Sequence, residues 1–136
     1  MMAAAWRVPD EPRTTTDVVA PVLSEVNALI AATHDVRERL KLVSISRWLR
    51  LLLDHQPDRW PDVGRIGTEA SSIVIGLVEE IDDSLDDLEM QTGMGWLDWS
   101  MVRRHMVLSS RRHRVVSVAV ALDDLVHALA ARQQGG

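Results

Sequence analysis

Two pairs of carboxylates raise the first chemical question. Glu79 and Asp82, and likewise Glu80 and Asp83, stand three residues apart in the run Glu79-Glu80-Ile81-Asp82-Asp83-Ser84-Leu85-Asp86-Asp87-Leu88-Glu89. On a helix, that spacing places both carboxylates of a pair on one face, where their oxygens can hold a hard divalent cation. The same run, seven acids in eleven residues, also reads as a solvated helix face that pairs with bases along a seam, and this second reading is favoured. The histidines at 34, 55, 105, 113 and 127 are scattered. The repeated E-x-x-H of a helical di-iron site is absent, with Asp124-x-x-His127 the nearest approach. The serines fall in helical contexts without a nucleophile elbow, and Gly64-Arg65-Ile66-Gly67 reads as a turn rather than a phosphate loop. There is no cysteine, which removes disulfides, thiolate metal sites and a thiol nucleophile. No catalytic residue, metal ligand or cofactor is therefore expected.

The E-x-x-D pairs resemble part of the pattern in the all-α nucleotide pyrophosphohydrolases of the MazG and dimeric dUTPase type. There, an E-x-x-E pair on one helix and an E-x-x-D pair on the next bind magnesium against a triphosphate. The resemblance covers the acidic run alone, and it implies a magnesium-dependent hydrolase as an alternative function. The chain departs from the pattern where the first pair should stand: Glu25 is followed by Ala28, and Glu69 by Ser72. His34-Asp35-x-x-Glu38 is similar to one element of hemerythrin-like bundles, whose other histidine pairs are missing. A third reading comes from Arg103, Arg104, Arg111, Arg112 and Arg114, whose near-helical spacing would suit a phosphate-binding stripe on a small subunit of a nucleic-acid complex. The acids opposite would neutralise much of that field, and no aromatic platform sits among the arginines.

The residues best suited to recognition are apolar. Met90, Met94, Trp96, Trp99, Met101 and Met106 crowd around the turn Gly93-Met94-Gly95. Tryptophan is enriched in interface hot spots, and methionine adapts to varied partners. Trp96 and Trp99, three apart, share a helix face. They either cap the core or form an exposed anchor, and Trp60, in Arg59-Trp60-Pro61, is a second candidate anchor on a loop. Met94, Trp96, Trp99 and Trp60 thus make up the candidate interaction surface.

A charge inversion across the glycine turn suggests how these residues are positioned. Reflecting the chain about Met94 sets Asp83 opposite His105 and Glu80 opposite Leu108, with Arg103, Arg104 and Arg111 within one turn of the acids. The expected seam is Glu80, Asp83 and Asp87 against Arg104 and Arg111. Surface pairs add little stability, so the contribution expected of this seam is to select one hairpin pairing over others. Arg104 and Arg111 also fall on the apolar line of their helix, so they either snorkel outward or pair within the bundle.

Four helices carry these groups. Residues 1–15 read as a flexible leader. A first helix, capped by Thr16 or Asp17, shows Val22, Val26, Leu29 and Ile30 on one face, and Pro21 is tolerable there only in the first turn. Asp35 is a possible cap for a second helix from Val36 to about Asp54, with Leu42, Ile45, Leu49 and Leu52 on its stripe. The prolines and glycines of 55–67 mark a loop. A third helix runs to about Gln91 through Ala70, Ile73, Leu77, Ile81, Leu85 and Leu88, with Gly93 and Gly95 beyond its end. The last runs from near Trp96 to about Arg132 through Leu97, Met101, Leu108, Val115, Val118, Leu122, Leu125 and Leu129, and overhangs the rest. Residues 133–136 read as a frayed tail.

The expected fold is therefore all-α, a four-helix, mainly antiparallel bundle with a long C-terminal helix, built from a single domain over 16–132. Its core must be aliphatic, because 136 residues include five Trp but no Phe or Tyr. A net charge of −5 disfavours a non-specific grip on nucleic acid or anionic membrane. The longest stretch without a charge or a histidine, Ala70–Val78, is far short of the roughly 20 residues of a membrane span, and no apolar segment of signal-peptide length opens the chain, so a cytoplasmic location is expected. The expected function is a non-catalytic helical interaction module: a small subunit or adaptor of a larger bacterial or phage-type assembly, with a protein partner or a second copy of itself. Nucleic acid and membrane are not expected partners.

Overall fold

The computed structural model describes residues 14–93 and 99–135. Its elements are α1 (Thr15–Ala32), α2 (Val36–Asp54), a short 3-10 turn (Pro57–Arg59), α3 (Val63–Gly93) and α4 (Trp99–Gly135). The four helices form the antiparallel bundle expected from the periodicity. The hairpin of α3 and α4 makes the most extensive contact, α1 lies between α2 and α4, and α2 touches α3 only slightly.

Local chemistry sets the boundaries. Thr14, not Thr16 or Asp17, caps α1: its Oγ1 accepts from the Asp17 N–H at 3.1 Å, and its own N–H donates to the Asp17 carboxylate at 3.2 Å. This reciprocal pair satisfies two otherwise free donors. The earlier start puts Pro21 in the second turn, on the exposed side of the helix, where water can reach a carbonyl left without its helical donor. Asp35 caps α2 by accepting from the Glu38 N–H at 3.0 Å. Buried Thr33 closes α1 by donating from Oγ1 to the Leu29 carbonyl at 2.7 Å.

The core is aliphatic, as the composition requires. Val19, Val26, Leu42, Leu49, Leu52, Val74, Leu77, Val115, Leu122 and Leu129 are essentially inaccessible. One polar link crosses from α2 to α1, where Ser46 Oγ donates to Asn27 Oδ1 at 2.9 Å. Helices α3 and α4 also approach closely at Gly67, where a Cβ would stand 2.5 Å from a Val126 methyl. By length and composition α1 alone among the described helices is apolar enough to cross a membrane, with a mean hydropathy of 1.2 over 18 residues. In the fold its apolar edge of Val19, Val22, Val26 and Leu29 belongs to the core.

Two expectations change at the base of the bundle. Trp60 is not an exposed anchor: it is 6% exposed and packs in the core. Its Nε1 donates to the carbonyls of Leu52 and His55, at 3.1 and 3.0 Å, so the indole closes the end of α2 while filling a space that no Phe or Tyr is present to fill. Nor is Gln133 part of a frayed tail. Its Oε1 accepts from the Val63 N–H at 3.2 Å, and its Nε2 donates to the Pro61 carbonyl at 3.1 Å. The last turn of α4 thereby caps the first turn of α3.

Candidate functional site

The helices differ greatly in length. At 1.5 Å per residue, α3 and α4, with 31 and 37 residues, are about 46 and 55 Å long, while α1 and α2, with 18 and 19, are about 28 Å. Much of the excess projects at one end. The end of α1, at Leu29 and Ala32, lies beside Met106, Val107, Ser110 and Arg111 of α4, and Glu38 at the start of α2 reaches Arg111. The last turns of α3 and the first turns of α4 therefore stand clear of α1 and α2, as a step. Lower in the bundle, α1 and α2 cover the flank of the hairpin that faces them. On the step no described helix covers that flank.

Two adjoining grooves mark it. One, of about 410 Å³, is lined by Leu29, Ala32 and His34 below and by Met106, Val107, Ser110, Arg111 and Arg114 along α4. The other, of about 450 Å³, lies between Ser84, Asp87, Leu88 and Gln91 of α3 and Arg103, Arg104, Val107 and Leu108 of α4. Val107 lines both, so the two grooves adjoin along α4 and are together termed the trough. Its floor is aliphatic and its rim polar. Beside it Trp99 is 81% exposed, and in its lining Val107 is 67% and Met106 65% exposed. Positions 99 and 106 are two helical turns apart and share a face.

The charge seam has a different register from the one expected. Arg112 donates to Asp82 from Nε at 2.5 Å, and His105 Nε2 lies 4.0 Å from the Glu89 carboxylate. His105 thus faces Glu89 rather than Asp83, a displacement that follows from α3 continuing through Gly93 and α4 beginning at Trp99. Among the described residues no ion pair joins Glu80, Asp83 or Asp87 to Arg104 or Arg111. Arg111 instead donates to Glu38 of α2, with both side chains about three-quarters buried, and so ties α2 to α4. Arg104, on the apolar line but on the step, is exposed. Burial raises the pKa of Glu38 above its ordinary value; Arg111 opposes this, while the nearby Asp35 and Glu80 carboxylates add to it. The Arg112 guanidinium is raised by its hydrogen bond to Asp82 and by that carboxylate's charge.

Asp82 of the Glu79/Asp82 pair is thus engaged by an arginine. Among the described residues no group of three or more His, Asp or Glu side chains gathers as a metal site would require. Met94 and Trp96 lie outside the described residues. Of the expected interaction residues the structure therefore places Trp99 at the site and removes Trp60. Met106, already part of the methionine–tryptophan patch, joins Trp99, and the structure adds Val107 and Arg114 of α4, with Ala32 and His34 at the α1–α2 junction. The sequence signal for them was the mismatch in helix length, since an apolar flank carried past the ends of its neighbours has nothing to cover it. No protein-family profile matches the chain, and no curated protein or solved structure is significantly similar to it.

Proposed function

We propose that the chain is a non-catalytic helical interaction module, a small subunit or adaptor that engages another protein chain through the step around Trp99. The observation that carries this reading is the exposure of the Trp99 ring, at 81%. An indole can bury roughly 150–250 Å² on association, and large exposed apolar side chains gathered on one surface mark interaction sites. The neighbouring Met106 and Val107 enlarge the apolar area, and the arginines and Asp87 supply the polar rim that interfaces have.

A photo-cross-linking residue at position 99, in cells that make the protein, tests the reading. A discrete protein adduct is expected that is lost when the probe is moved to Arg65, an exposed position at the opposite end of α3. Equal labelling from both positions, or none from position 99, would remove the interaction role.

A further inference from the structure

We infer that the trough on the step seats an amphipathic helix of a partner protein whose polar edges are acidic. The inference rests on the interaction role proposed above and specifies its partner. Shape is the first argument. The trough continues the layer that α1 and α2 occupy lower in the bundle, so the space above their ends has the width of a helix. Residues 99–105 of α4 run about 10 Å beyond that junction, enough for about two turns of a partner.

Chemistry is the second. The floor of Leu29, Leu88, Val107 and Leu108 is aliphatic. Such a floor takes apolar side chains recurring at three- and four-residue spacing, which is how a helix docks in a groove. Among the described residues no aromatic ring lines the trough itself, Trp99 standing beside it.

Charge is the third. Among the described residues, Arg103, Arg104, Arg111 and Arg114 line the trough, against Asp87 as the one acid. Arg111 is engaged by Glu38. The remaining three favour carboxylates on the flanks of the incoming helix and disfavour lysines there. A second copy of this chain fits less well, because a two-fold contact through this patch would set one arginine-rich surface against another.

The test pans a phage-displayed library of helical peptides against the full-length protein. The enriched sequences are expected to be amphipathic and net acidic. A synthetic peptide of the consensus should bind at least about tenfold more weakly, a loss of about 1.4 kcal/mol, to Arg103→Glu/Arg104→Glu and to Val107→Asp. It should bind almost unchanged to Arg65→Glu, all variants keeping the wild-type circular dichroism. Enrichment of basic or non-amphipathic peptides, no enrichment at all, or binding that ignores the trough substitutions would overturn the inference. So would tighter binding of a single-stranded oligonucleotide through the same arginines, or self-association of the wild type that Val107→Asp abolishes. Any of these alongside a protein adduct from position 99 sinks the acidic-helix partner alone, whereas loss of that adduct sinks the interaction role itself.

Discussion

Two buried tryptophans show how much a single polar atom decides. Trp48 and Trp60 are 7% and 6% exposed. Trp60 Nε1 serves two carbonyls, while Trp48 Nε1 is buried without an acceptor among the described residues. Replacing either ring by Phe removes similar apolar area but opposite hydrogen-bonding consequences. Trp60→Phe leaves the Leu52 and His55 carbonyls short of a donor, whereas Trp48→Phe removes an unpaired one. Urea denaturation should find Trp60→Phe the more destabilising by about 1–2 kcal/mol; equal losses would mean the indole bonds contribute nothing. Glu38 gives a pH signature. Burial, with help from Asp35 on its own helix and Glu80 on α3, outweighs Arg111 on α4 and raises its folded-state pKa above 4.5. Folding therefore favours the neutral carboxyl. That contribution is complete below the unfolded-state value and is lost as pH rises through the higher folded one. Glu38→Gln stays neutral throughout, so wild-type stability minus that of Glu38→Gln should fall as pH rises just above 4.5. A difference that is flat or rises across that range would show that the Arg111 pair dominates.

At the scale of elements, α3 carries two glycines with opposite expectations. A Cβ on Gly76 meets nothing within 4 Å, while one on Gly67 would overlap the Val126 side chain. Alanine is the better helix former by roughly 1 kcal/mol, so Gly76→Ala should stabilise by about 0.5–1 kcal/mol. Gly67→Ala should instead destabilise by about 1–3 kcal/mol as α3 and α4 are forced apart, and Val126→Ala should recover part of the loss. Thermal melts showing both alanines stabilising would mean that the hairpin is loosely packed there. This close approach was invisible in the sequence, where Gly67 read only as the end of a loop. What was legible were features encoded locally. The Asp35 cap and the apolar stripe placed α2 correctly, and the aliphatic stripes of all four helices named most of the core. What failed depended on chain geometry at the ends. Register across the glycine turn required knowing where α3 stops, and reflection about Met94 paired Asp83 with His105 where Glu89 stands. Trp60 and Gln133 were misjudged because their partners, backbone groups at the ends of α2 and α3, are set by the folded arrangement and leave no side-chain pattern.

For the whole molecule, the difference in helix length divides the bundle into two regions of unequal stability. Where four helices overlap, Val74, Leu77, Val115, Leu122 and Leu129 are enclosed on all sides. On the step only the two-helix hairpin remains, with Leu85 and Leu108 half-buried and exposed pairs such as His105–Glu89 at the seam. A two-helix hairpin has one contact surface, and exposed ion pairs add at most about 1 kcal/mol each. Its opening free energy should lie well below that of the four-helix region. Native-state hydrogen exchange is therefore expected to show amides of 83–93 and 99–109 exchanging through a sub-global opening, while those of 70–81 and 115–129 exchange only with global unfolding. A docked helix would supply the missing layer and raise protection on the step more than elsewhere, since binding stabilises what it contacts. Adding the acidic peptide selected on the wild type should slow exchange in 99–109 and leave 115–129 nearly unchanged. Uniform protection along α4 before the peptide is added would show that the hairpin needs no covering layer, and the trough would then be finished surface rather than half of an interface.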